Sequence, residues 1–316
     1  MARVHYDVYQ VDYTAAILHE QMGTKEKFWY REGSPFDAKT LFKAGRPNTG
    51  ENWAEVISAQ IATAIKLPSA EYQFAECRIQ DKIVKGTITP TLIKESTSRM
   101  IHGNELLARY SETAKEATLY DPDTRKHHTL TRAIAYLSED FLLPPIDCIT
   151  SDARKDALDF FLGYLVFDAL IGNQDRHAEN WAIIRRADDI YHLCPTYDHG
   201  SSLGRNETDD SRLHKLTTRD KNGNVEAYCK RAASGFFPQS GTGKSIKLIE
   251  CVEIAARIRE HAFFEWQELI GQTVSDSLLQ SIIDPIPQDI MSDISKRFTK
   301  EYIKHNLNRI LLLDPR

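Results

Sequence analysis

"FFLGYLVFDALIGNQDRHAENWAII", residues 160–184, runs apolar, turns polar at Gly172 and becomes apolar again at Trp181. The polar island "GNQDRHAEN" places Asp175, Arg176, His177, Glu179 and Asn180 within six positions. Upstream, in "SDARKDALDFFLGYLVFDALIG", Leu158, Phe161, Leu162, Leu165, Val166, Ala169 and Leu170 recur at helical spacing. That pattern predicts a helix with one continuous apolar face, capped by Ser151 or Asp152 and stopped at Gly172. Downstream, "NWAIIRR" and "DIYHLCPTYD" predict a hairpin around "RADD". The island is then a loop held at both ends by buried elements, and such a loop positions polar groups accurately.

Asp175 and Asn180 are five residues apart, and Asp198 follows the hairpin in "TYDHGSSLG". Taken singly, each is equally well explained as a turn residue, because Asp and Asn are favoured in turns. Together, in this order, they supply what phosphoryl transfer requires: a carboxylate to accept a hydroxyl proton, and an amide and a second carboxylate for Mg²⁺. "DHG" is also similar to the kinase "DFG" triplet.

That chemistry needs an upstream lysine for the α/β-phosphates and a helix glutamate to hold it. "KFWYREGSPFDAKTLFK" predicts two strands joined by a turn, and Lys43 ends the second. The next segment, "GENWAEVISAQIATAIKL", carries Trp53, Val56, Ile57, Ile61 and Ile65 on one helical face. Glu55 lies one turn inside it and is preferred to Glu51 as the partner of Lys43. Before the first of these strands, "QMGTKEKFWY" offers Gly23, Thr24, Lys25 and Lys27 for a loop over the phosphates. "AEYQFAECRIQ" and "KIVKGTITPTLI" predict further strands, whereas helical patterns dominate from about residue 98. These include "IKLIECVEIAARIREHAFFEWQELIG" and "DIMSDISKRFTKEYIKHNLNRILLL". The expected fold is α+β and two-lobed, with a strand-rich N-lobe at 1–97 and a mainly helical C-lobe at 98–316.

The chain has 316 residues, 41% hydrophobic and 27% charged, with a net charge of −5. This balance exerts no general pull on nucleic acid or anionic membrane. No helix-turn-helix signal stands out, so direct nucleic-acid binding is not expected. No run approaches the ~18 apolar residues of a membrane helix, and the N-terminus is not a signal peptide. Five cysteines without a CxxC pair argue against a disulfide framework or a zinc site and fit a reducing cytoplasm.

Two motifs mislead. "PQSGTGKSIKLIE" has Pro238 where a phosphate-binding loop needs its first glycine, and it reads as a loop capping the next helix at Ser240 or Ser245. In "RKHHT", His127 and His128 are adjacent and diverge, so they read as a solvated loop rather than a metal pair.

"LIGNQDRHAENWAII", "YDHGSSLG" and "LFKAGRPNTGENWAEVISAQIA" together resemble the HipA-like serine/threonine kinases, a bacterial group that includes toxin kinases. The resemblance covers most of the chain and is strongest over 23–65 and 158–204. It implies a two-lobed kinase fold distantly similar to phosphoinositide kinases, with ATP and Mg²⁺ as cofactors. It further implies Asp175 as catalytic base, His177 as the catalytic-loop histidine, Asn180 and Asp198 on Mg²⁺, Lys43 on the ATP phosphates, and Gly23 to Lys27 as the phosphate loop. The partners it suggests are a protein substrate with a Ser or Thr acceptor, such as a translation-related protein, and an antitoxin or other regulatory protein.

Two departures matter. The longer toxins carry an extra N-terminal subdomain for which there is no room before residue 20, so the chain reads as a compact member. Those toxins are also regulated by autophosphorylation of a serine in the phosphate loop, where this chain has only Thr24. "DRHAEN" is also close to the phosphoinositide-kinase catalytic loop, which keeps a lipid or other small-molecule kinase as an alternative. The −5 charge does not support the basic membrane-facing surface such enzymes need. A non-catalytic nucleotide-binding module is the third reading, opposed by the presence of Lys43, Asp175, Asn180 and Asp198 together.

Overall fold

Strand-forming alternation before residue 91 builds one sheet, and its phase decides where the charged side chains go. The computed structural model describes residues 5–19, 25–109, 127–146, 148, 155–238 and 243–316. β1 (Val8–Val11), β2 (Leu18–His19), β3 (Lys27–Tyr30), β4 (Thr40–Ala44), β5 (Gln73–Ile79) and β6 (Lys82–Pro90) form a sheet in the order β1-β5-β6-β4-β3-β2. β1 and β5 run parallel, and the other pairs are antiparallel. Phe28, Phe42, Ala44 and Ile88 share an apolar cluster on one face. Side chains alternate along a strand, so Lys43, between Phe42 and Ala44, points to the other face. Helix α1 (Glu51–Ala64) packs against β5 and β6 there.

A second sheet joins β7 (Arg99–His102), β8 (Leu142–Leu143), β9 (Ala182–Arg185) and β10 (Tyr191–Leu193) in the order β7-β9-β10-β8. β9 and β10 are the expected hairpin. The helices here are α2 (Gly103–Arg109), α3 (Leu130–Leu137), α4 (Ala157–Ile171), α5 (Asp209–Thr217), α6 (Val225–Arg231), α7 (Leu248–Ile258), α8 (Glu260–Thr273), α9 (Asp276–Ile283) and α10 (Asp293–Leu311).

Helix α4 departs from the single apolar face its spacing predicts. Every residue except Asp159 is buried, because α7, α8 and α10 surround it. Its cap is Asp156, in a reciprocal box with Asp159; Ser151 and Asp152 lie outside the described residues. Gly172 ends the helix at φ +67°, and a Cβ there would lie 2.0 Å from the Tyr302 hydroxyl, so conformation and space both require glycine. Helix α7 starts after Lys247, whose amide donates to Glu250 Oε2 at 2.9 Å. Ser245 is therefore not its cap, and Ser240 lies outside the described residues. Among the described residues no helix is long and apolar enough to cross a membrane.

Candidate active site

The island is built around Arg176, to which the sequence pattern assigned no role. Its side chain is 1% exposed and binds Asp168, itself 1% exposed, through two parallel hydrogen bonds. Nε donates to Oδ2 at 2.8 Å and Nη2 to Oδ1 at 2.7 Å. Nη1 donates to the Asn180 carbonyl at 2.6 Å, and Nη2 to Thr196 Oγ1 at 2.8 Å. Burial alone would lower the guanidinium pKa, but the Asp168 carboxylate outweighs it and holds it above the usual value. One side chain thus ties the end of α4, the end of the loop and the segment after the hairpin into a single unit.

Asp175 and Asn180 are oriented by this frame. Asn173 Nδ2 donates to Asp168 Oδ1 at 2.9 Å, and its Oδ1 accepts from the Asp175 amide at 3.2 Å. Asn180 Nδ2 donates to the Asp175 carbonyl at 2.7 Å, which fixes the amide and leaves Oδ1 as its acceptor atom. The Asp175 carboxylate is half-exposed, with His177 Nε2 3.7 Å from Oδ1 and Ser201 Oγ donating to Oδ2 at 3.2 Å. Glu179 contributes its backbone: its carbonyl accepts from the Tyr197 hydroxyl at 2.8 Å and lies 2.9 Å from His102 Nδ1.

Lys43 joins the two sheets' contributions. Its Nζ donates to Glu55 Oε1 at 2.9 Å and forms a short ion pair with Asp198 Oδ1. Glu55 Oε2 accepts from the His199 amide at 2.7 Å, so the glutamate also fixes the "DHG" turn. Asp198 sits at φ +57°, a left-handed conformation that aspartate tolerates better than most residues. Burial opposes charge on all three side chains. For Lys43, the Asp198 and Glu55 carboxylates outweigh burial and hold the ammonium well above its ordinary value. For Asp198, Lys43 and Lys25 outweigh it and hold the carboxyl well below the usual range. For Glu55 burial prevails over Lys43, and its pKa is raised.

Glu51, the competing glutamate, has a different set of partners. It is buried at the start of α1 and pairs with Lys25 at 2.7 Å, Arg46 at 2.5 Å and Arg205. Lys25, Lys43, Glu51, Glu55 and Gly200 line one cleft. Lys27 lies opposite Lys43 in the β3–β4 register, on the same face of the sheet. Gly23 and Thr24 lie outside the described residues.

His128 corrects the solvated reading of "RKHHT". It is 3% exposed and stacks on Phe236 at 4.2 Å. Its Nε2 accepts from Trp181 Nε1 at 3.0 Å, so Nδ1 carries the proton and donates to the Gly235 carbonyl at 3.0 Å. Gly235 backs the island: a Cβ there would lie 2.6 Å from the Arg176 carbonyl carbon and 2.7 Å from the His177 amide nitrogen. Burial pushes the His128 pKa down to about 3. An unfolded histidine titrates near ~6.5, so between these values the unfolded chain binds the extra proton. The stabilisation is complete above pH ~6.5 and is lost as pH falls, at up to about 1.4 kcal/mol per unit. Denaturant titrations at pH 7.5 and 5 should show a smaller difference in His128→Gln than in wild type; equal differences would contradict this.

Comparison with known proteins bears on the family and the fold. The model of the HipA-like C-terminal domain family matches residues 107–266, just over half of the chain, including Asp175, Asn180 and Asp198. The serine/threonine-protein kinase CtkA of Helicobacter pylori is 27% identical over 154 residues, 48% of this chain and 44% of that protein. The matched segment is thus less than half the length of that relative. The crystal structure of a proinflammatory kinase CtkA from H. pylori superposes with a TM-score of 0.65 at 18% identity, covering 96% of this chain and 99% of that one. HipA of Shewanella oneidensis MR-1, in a structure with HipB and operator DNA, gives 0.51 at 12% identity over 92% of this chain and 64% of that one. The shared fold is the expected α+β kinase-like one, with a strand-rich part followed by a helical part.

Proposed function

Because the chain belongs to the HipA-like family, we propose that it is an ATP- and Mg²⁺-dependent protein kinase that phosphorylates Ser or Thr. The observation that carries this reading is Lys43 held between Glu55 and Asp198. A lysine held by a helix glutamate beside the first carboxylate of "DHG" is the arrangement that sets ATP phosphates next to a metal ligand in phosphoryl transfer. Asn180 Oδ1 and Asp198 are hard oxygen donors of the kind Mg²⁺ takes. Among the described residues no group of three His, Cys, Asp or Glu side chains could hold a metal ion. Phosphate oxygens and waters would therefore complete the shell, as in other phosphoryl-transfer sites. Mg²⁺, when bound, would neutralise charge on the β- and γ-phosphates.

The chain's own groups do the rest. Lys43 holds the α- and β-phosphates, and Glu55 aims Lys43. Lys25 and Lys27, with Gly23 and Thr24, cover the phosphates. Asp175 orients the acceptor hydroxyl and receives its proton, and His177 supports the Asp175 carboxylate. Positioning and charge neutralisation supply most of the acceleration. Residues 1–97 serve as the lobe that carries the phosphate loop, Lys43 and Glu55, and 98–316 as the lobe that carries the catalytic loop. A cytoplasmic location, a translation-related substrate and an antitoxin partner complete the proposal.

The test is incubation with [γ-³²P]ATP and either a bacterial lysate or phosphoinositide vesicles, with Mg²⁺ or with EDTA. Mg²⁺-dependent label on Ser or Thr of a lysate protein is expected. Label on lipid alone would point to a lipid kinase, and ATP binding with no labelled acceptor to a non-catalytic module. Lys43→Met should weaken ATP binding ~10–100-fold, the value of one charge-assisted hydrogen bond. An unchanged Kd by calorimetry would remove Lys43 from the phosphate site.

A further inference from the structure

We propose that Ser201 is a phosphoryl acceptor within its own chain, a modification site that rests on the kinase reading above. Among the described residues, Ser201 supplies the one side-chain hydroxyl hydrogen-bonded to the Asp175 carboxylate, at 3.2 Å. A nucleophile within hydrogen-bond reach of its base is the geometry that proton transfer to a general base requires. Ser201 also follows the proposed metal ligand Asp198 by three residues, in the same segment.

The segment is pinned on both sides, while Ser201 itself stays partly exposed. The His199 amide donates to Glu55 at 2.7 Å. Ser202 is buried with its Oγ 3.2 Å from Ser58 Oγ, and the Leu203 amide donates to the Ile171 carbonyl at 2.9 Å. The Ser201 carbonyl accepts from the Gln174 amide at 3.4 Å, which joins the segment to the island. These contacts hold Ser201 against Asp175 without burying it.

In the reaction Ser201 Oγ attacks the γ-phosphorus of ATP. The Oγ–P bond forms, and the bond from the γ-phosphorus to the β,γ-bridging oxygen breaks. ADP leaves with that electron pair, and the serine proton passes to Asp175. The product carries a charge of about −1.5 to −2 beside the Asp175 carboxylate. It occupies the place an outside hydroxyl must take, so the modification shuts off transfer to other acceptors.

The experiment incubates the full chain with Mg²⁺ and ATP and locates phosphate by mass spectrometry over time. Wild type should gain phosphate on Ser201 at a rate per molecule unchanged by tenfold protein dilution, and Asp175→Ala should gain none. Wild type that labels a lysate protein or Thr24 while Ser201 stays unmodified overturns this inference and leaves the kinase reading standing. Wild type that binds ATP and transfers phosphate to nothing overturns both. A rate proportional to protein concentration overturns the intramolecular assignment. Chain first converted to the Ser201 phosphoform should label lysate at least ~10-fold more slowly than unmodified chain; equal rates overturn the shut-off.

Discussion

Arg176→Leu should destabilise the protein by about 3–5 kcal/mol, the cost of breaking a buried ion pair by removing one partner. The reason is the position of Asp168. It is 1% exposed, and two of its hydrogen bonds come from the guanidinium. Without Arg176 the carboxylate keeps Asn173 Nδ2 as a side-chain donor. The Asn180 carbonyl and Thr196 Oγ1 lose a donor as well, and each unmade buried bond adds to the penalty. Replacing both charges, as in Asp168→Leu with Arg176→Leu, should recover part of the loss, because the uncompensated charge is gone. Arg176→Lys should fall between, since an ammonium cannot reproduce two parallel bonds. Equilibrium denaturation of the three variants reads these differences directly. A single Arg176→Leu variant within ~1 kcal/mol of wild type would mean that the ion pair does not hold the loop.

Much of the fold was legible because its signals are local. The period-2 runs around Phe28 and Phe42 gave the strands, and the 3.6-period run from Trp53 to Ile65 gave α1. The strand's own alternation also put Lys43 on the helix-facing side, and the preference for Glu55 over Glu51 follows from one helical turn. Glu51 lies a turn earlier, among Lys25, Arg46 and Arg205.

What the sequence left unread depends on long-range packing. Arg176 had no role legible in the sequence because its partners Asp168, Thr196 and Asn180 come from three separate segments. Asp168 itself falls in an apolar run, where one carboxylate looks like an interruption. His128 seemed exposed in a polar string, yet Phe236 and Trp181, far along the chain, enclose it. The β1 strand was unread because it is short and partly exposed, and it is recruited by parallel pairing with β5 across more than sixty residues.

On the proposed reading, Asp175 serves phosphoryl transfer and not the fold. Its carboxylate is half-exposed and takes little part in the buried frame, whereas its backbone atoms hold Asn173 and Asn180. Asp175→Asn therefore keeps the shape and removes the proton acceptor. General-base groups contribute typically ~10²–10⁴-fold, and in the proposed site ATP is held by other residues. The direct measurement is single-turnover transfer from [γ-³²P]ATP to the labelled lysate acceptor, with ATP affinity measured on the same preparation. Transfer should slow at least ~100-fold with ATP affinity near that of wild type. Transfer at the wild-type rate in Asp175→Asn would contradict it.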